Sequence, residues 1–256
     1  SGNISVDGSG KTATFAAGSG NNITLNNSND FKTLVITSGN DVVIVDSDDL
    51  DIGASTVSGD LTVTTSGAIT DSGNISVDGS SKSATFNAGS GNDITLNNSN
   101  DFKTLKIAAA RNVAVTDSDD VALGLSDVEG TYAITSTAGL ITNSGNLDIE
   151  GNATFTVADT KSISVNSSGN DFSGTVTFVS SGTIADITIV DNSAFDVKTL
   201  TITGDLSVTA TGAITDSGNI SVDGSGKTAT FAAGSGNLSL IHISEPTRPL
   251  YISYAV

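Results

Sequence analysis

The chain has 256 residues, with 10 Lys and Arg against 28 Asp and Glu, for a net charge of −18. That charge repels nucleic-acid phosphates and anionic lipid heads, and both are disfavoured as partners. No apolar run approaches the roughly 20 residues that span a bilayer, so this segment is not expected to insert into a membrane.

Cys and Met are absent, so there is no disulfide framework to read. A chain without Met, opening on Ser1 in mid-pattern and lacking a basic-then-apolar leader, reads as a piece of a longer protein. Gly, Ser, Thr, Asn, Asp and β-branched aliphatics dominate, while good helix formers are scarce. Those residues favour strands and tight turns, which predicts an all-β fold.

In chain order, the first strand head is Ile4-Ser5-Val6, inside the block Ser1 to Gly8 (SGNISVDG), which returns at Ser72 to Gly79 and at Ser217 to Gly224. A degenerate copy occupies Ser144 to Gly151, so long repeats start near 1, 72, 144 and 217, in steps of 71, 72 and 73 residues. The next heads are Ile23-Thr24-Leu25, Val43-Ile44-Val45 and Leu61-Thr62-Val63, spaced 19, 20 and 18 residues, then 14 to Ile75. The second copy continues with heads at Ile94, Val113 and Ala133.

Asn22 to Lys32 (NITLNNSNDFK) recurs at Asp93 to Lys103 with one change. Phe15, Phe86, Phe155 and Phe231 share one repeat position, and Phe31, Phe102 and Phe172 share another. Near-regular coils of this length cannot bury an apolar face alone but can when stacked. The expectation is a right-handed parallel β-helix (β-solenoid) over residues 1–237. Its coils would be of 14–20 residues, about thirteen in number, with Ile4, Val6, Ile23, Leu25, Ile75, Val77, Phe86, Ile94 and Leu96 pointing inward. Asn26-Asn27 and Asn97-Asn98 are read as side-chain ladders between coils.

The cadence GNIxV, GxATF, GSGNDITLNN, DF, GAITDSGN resembles the repeats of filamentous-haemagglutinin-like and other very large repetitive bacterial surface proteins. The resemblance covers residues 1–237 and implies a right-handed parallel β-helix, export across the outer membrane and a role as stalk or adhesive fibre.

At Leu238 the pattern stops, although residues 217–237 are identical to residues 1–21. The chain continues as LSLIHISEPTRPLYISYAV, which holds both Pro and the only His. LSLIHISEPTR resembles the conceptual translation of a transposase-based sequencing adapter, so residues 238–256 are read as a non-native tail that does not continue the coil or does so poorly.

Before that tail there is no His or Cys, which excludes Ser-His-Asp and Cys-His catalysis and disfavours zinc. The loops are short and repeat-identical, so no catalytic groove is expected and the chain is read as not an enzyme. The densest carboxylate clusters are Asp46, Asp48 and Asp49, and their copies Asp117, Asp119 and Asp120. Alternate hard oxygens suit Ca²⁺, while Asp and Ser bonding the local backbone suit ordinary turns. The turn is the favoured reading, with weak Ca²⁺ binding the alternative, no other cofactor, and the clusters placed about 20 Å apart, four coils along the rod. The third repeat, Asp191-Asn192-Ser193-Ala194, has lost most of these carboxylates.

The expected role is a structural or adhesive rod, secreted or on the bacterial cell surface. Its partner would be a host-cell or matrix surface, carbohydrate included. The alternative is a Ca²⁺-stabilised extracellular matrix or surface-layer-like protein that binds carbohydrate.

Overall fold

The computed structural model describes residues 2–77, 79–237 and the backbone of Ser239–Leu240. Alternating apolar residues place i and i+2 on one side of a strand, and a single short coil so patterned must find its cover in its neighbours. The described residues accordingly form short strands and no helix, and every strand pairing is parallel. Among the described residues no helix is long and apolar enough to cross a membrane.

The chain winds as a β-solenoid of about eleven turns. On wall I, Leu50, Ile69, Ile94, Val113, Tyr132, Ala153 and Val176 lie one above the next. On wall II, the column runs Ile23, Val42, Leu61, Ala84, Leu105 and Leu123, and higher up Ile141, Ile163, Ile187, Leu206 and Ala229. Corner segments join the walls. The long strands Ile23–Phe31 and Ile94–Phe102 turn such corners, with register shifts between Leu25 and Asn29 and between Leu96 and Asn100.

These registers correct the coil length. The step between stacked strands runs from 18 residues, Thr33 to Asp51, to 25, Ile69 to Ile94, shortening locally to 17 at Asn29 to Asp46 past the bulge. Leu61 is covered by Ala84, while Ile75 stacks on Ser55 at a different corner. The 14-residue interval from Leu61 to Ile75 is therefore a passage round one coil, and about eleven coils replace the expected thirteen.

The long repeat also fails to close on whole coils. Ile23 sits on wall II, but its counterpart Ile94, 71 residues on, falls between Ala84 and Leu105 in height and lies on wall I. One long repeat is thus about three and a half coils, and two make seven, returning the pattern to wall II at Ile163. Successive copies of any residue alternate between walls. Phe15 and Phe155 belong to wall I, Phe86 and Phe231 to wall II.

Of the residues expected inside, Ile23, Ile75, Val77, Phe86, Ile94 and Leu96 are buried. Val6 and Leu25 are half-buried, and Ile4 is 38% exposed. All three lie in the lowest coils, where less chain stands beneath to cover them. In the head Val43-Ile44-Val45 the inward pair is Val42 and Ile44, each fully buried. In the head at Ala133, Tyr132 and Ile134 point in.

The tail expectation falls outside the described residues except at one point. Ser239–Leu240 pairs in parallel with Ile214 and Thr215.

Candidate functional site

Each of the first three long repeats carries a run in which the inward parity of an apolar strand ends on aspartate: Val42-x-Ile44-x-Asp46, Val113-x-Val115-x-Asp117 and Ile187-x-Ile189-x-Asp191. One coil lower, Asn29, Asn100 and Asn170 share inward parity with Phe31, Phe102 and Phe172. All six polar side chains are buried, none more than 2% exposed. Buried polar groups are costly unless bonded, and the coil geometry supplies the bonds.

Asn29 joins three coils. Its Oδ1 accepts from the Ile4 N–H below at 3.0 Å, and its Nδ2 donates to Leu25 O in its own coil at 2.9 Å and to Val45 O above at 3.1 Å. Asn100 repeats this with Ile75 N, Leu96 O and Thr116 O. Asn170 does so with Leu147 N, Val165 O and Val190 O. Each aspartate reaches down: Asp46 accepts from Phe31 N at 2.8 Å, Asp117 from Phe102 N at 2.8 Å, and Asp191 from Phe172 N at 3.1 Å. Asp46 and Asp117 also accept from the N–H of Asp48 and Asp119. Burial is the largest influence on all three carboxyls, pushing Asp46 up to about 6 and Asp117 up to about 7, with Asp191 raised as well.

The six expected Ca²⁺ candidates therefore serve different ends. Asp46 and Asp117 are interior. Asp49 and Asp120 are exposed, and each accepts from a backbone N–H one coil up, Ala68 and Leu140. Asp48 and Asp119 are exposed. The two clusters sit on different corners, about three and a half coils apart, because of the half-coil offset. One grouping was not anticipated: carboxylate oxygens of Asp7, Asp30 and Asp48 lie within 4.8 Å of one another. Nothing in the linear sequence brings these three together, since Asp30 stacks on Ser5 only through the 25-residue coil step.

The paired asparagines form no amide ladder. Asn27 Nδ2 donates to Gly2 O, while Asn97 and Asn98 donate their backbone N–H groups to the Asp71 carboxylate. Arg111 is held bidentate by Asp93 at 2.8 and 2.9 Å.

A cleft of about 530 Å³ opens where wall I loses its ladder, between Val176–Ser180 and Phe195–Val197. Its one carboxylate, Asp196, is engaged by Lys198 and Ser217.

A family model described as repeats of unknown function (DUF5649) matches residues 1–38, 39–109, 110–179 and 184–243, in segments whose full length is roughly 70 residues. No curated protein and no solved structure matches the chain.

Proposed function

We propose a structural role for this chain, which belongs to the DUF5649 family of repeats of unknown function: it is a rod segment of a large exported bacterial surface protein. The rod spaces or presents an adhesive region towards a host-cell or matrix surface, carbohydrate included, and carries no catalytic activity of its own. One observation carries this reading. The interior carboxylates and amides, the groups a catalytic or ligand site would need, bond the rod's own backbone once in each of the first three long repeats. The filamentous-haemagglutinin-like cadence and the acidic, Cys-free composition support export.

Surface display tests it. An antiserum raised against the chain should label intact cells of the source bacterium, and external protease should remove the label. Labelling only after permeabilisation would contradict export.

Residues 238–256 are read as adapter-derived. Independent sequencing should replace LSLIHISEPTR after Asn237 with a continuation resembling Asn22-Ile23-Thr24-Leu25, and recovery of the same tail from an independent library would overturn that.

A second reading, Ca²⁺ stabilisation of a matrix or surface-layer-like protein, is favoured by the approach of Asp7, Asp30 and Asp48. Because Asp46 and Asp49 already serve the backbone, the expected result is equal melting temperatures in Ca²⁺ and in chelator at matched ionic strength. A Ca²⁺-dependent rise that vanishes in Asp48→Asn would instead establish the cation site.

A further inference from the structure

We propose that the rod is jointed: at the step between Val176–Ser180 and Phe195–Val197, wall I opens and closes while wall II stays laddered and acts as the hinge. Below this step the wall I ladder is unbroken from Thr12–Ala16 to Val176–Ser180. Among the described residues no strand then pairs with the upper edge of Val176–Ser180, and Phe195–Val197 begins a separate sheet with Ile214–Asp216. Wall II runs on across the same height, through Ile163, Ile187 and Leu206. The corners on either side are also closed, by Asn192 N–H to Asn170 O and by Thr203 N–H to Ile184 O. The cleft of about 530 Å³ lies at this opening. Phe178, inward by parity, is only half-buried there, although Phe155 beneath it is fully buried.

One inserted residue accounts for the break. Leu34 follows Phe31 and Leu105 follows Phe102 by three positions. Both of those coils ladder to the one above, through Thr33 with Asp51 and Leu34 with Ile52, and through Thr104 with Ala122 and Leu105 with Leu123. In the third repeat the corresponding aliphatic, Val176, comes four positions after Phe172, because Ser173-Gly174-Thr175 stands where the others have Lys-Thr. The longer corner displaces this strand from the one above without disturbing its register on Ala153–Val157 below.

The two facing edges are complementary. Thr175 O accepts from Ala153 N–H below, so alternation turns the main chain of Val176 and Phe178 upward. Phe195 N–H donates to Ala213 O above, which leaves the main chain of Asp196 pointing down. Closing the wall would therefore form two ladder bonds, Asp196 N–H to Val176 O and Phe178 N–H to Asp196 O. In the open form water takes these groups, and exchanging water for a protein partner changes the free energy little. Both forms are then within reach, whereas in the coils below movement would break ladders on two walls. The Asp196 carboxylate is already engaged by Lys198 and Ser217, so no unpaired charge on this lip opposes closure.

Paired spin labels on the full chain test this. Thr177→Cys with Thr215→Cys spans the joint on the outside of wall I, with Asp196, the register partner of Thr215, between them. Ala133→Cys with Thr177→Cys spans two laddered steps of the same wall through Thr154. Ser164→Cys with Ser207→Cys spans two steps of wall II beside the joint, through Thr188. The expected result is a broad distance distribution across the joint, reaching beyond the roughly 10 Å of two ladder steps, and narrow ones for both controls. Hydrogen exchange at the Val176 and Phe178 amides should be at least about tenfold faster than at Tyr132, whose N–H bonds Asn152 O. Deleting Ser173 restores the shorter corner and keeps Gly174, where a Cβ would meet the Gly151 backbone. That variant should narrow the distribution and slow both amides. A distribution across the joint as narrow as the controls, or Val176 and Phe178 amides as slow as Tyr132, would overturn the proposal. If the deletion variant does not fold, the labelled full-length chain decides alone.

Discussion

Replacing Gly139 with alanine should lower stability by about 2–4 kcal/mol, the largest effect expected from adding one carbon to this chain. A Cβ at Gly139 would land on the backbone of Asp119 and Asp120 in the coil below. Backbone on both sides of the contact leaves no flexible side chain to give way, so relief would require separating two coils. The control is Gly91→Ala, where a Cβ meets nothing within 4 Å and the effect should stay within about 0.5 kcal/mol. Denaturant melts of the two variants against the parent measure it. Equal midpoints for Gly139→Ala and Gly91→Ala would mean that the coils do not approach as closely as the register requires.

The second large effect is expected at Phe155. Its ring is fully buried, meets Tyr132 and Phe172 edge-on with centroids 6.1 and 6.2 Å away, and stacks on Phe178 at 6.2 Å. It thereby ties three coils of wall I to one corner. Phe155→Ala should cost about 3–5 kcal/mol, the transfer of a buried ring plus the cavity it leaves. Phe15 holds the same repeat position in the lowest coil, is only half-buried and has one ring partner, Phe31 at 5.8 Å. Phe15→Ala should therefore cost clearly less. Comparable losses at the two sites would show that coil position does not govern the contribution of this residue.

The solenoid itself was legible in the sequence. Strict alternation in segments such as Ile75-Ser76-Val77 and Ala84-Thr85-Phe86 gives the inward set directly, and the returning blocks announce a stacked array. Coil boundaries were not legible, for a physical reason. The same apolar-x-apolar head serves wall I and wall II, so spacing between heads mixes steps up the rod with steps around it, as Leu61 and Ile75 show. The fate of Asp46 was half legible. Asp46-Ser47-Asp48-Asp49 looks like a solvated turn, but parity with Val42 and Ile44 already places Asp46 inside. What parity cannot supply is the partner, because Phe31 N comes within reach only through the coil step. The grouping of Asp7, Asp30 and Asp48 depends on that step twice.

The half-coil offset has a consequence for any role as a fibre. Features repeated once per long repeat emerge on alternate walls, so a lengthened array of such repeats displays each feature to both sides and not along one stripe. With coils about 4.8 Å apart, copies on the same wall recur about every 34 Å, seven coils on.

The register is the central claim, and crosslinking reads it directly because the chain contains no Cys. Thr62 and Thr85 are register partners on adjacent strands of wall II, with side chains alternating outward from buried Leu61, Val63, Ala84 and Phe86. In the double variant Thr62→Cys, Thr85→Cys, a short thiol-to-thiol crosslinker should join the two positions rapidly within one chain. The pair Thr62→Cys, Ser76→Cys, which a 14-residue coil would stack, should not react. Crosslinking of Thr62 to Ser76 with none to Thr85 would contradict the coil register and the half-coil repeat built on it.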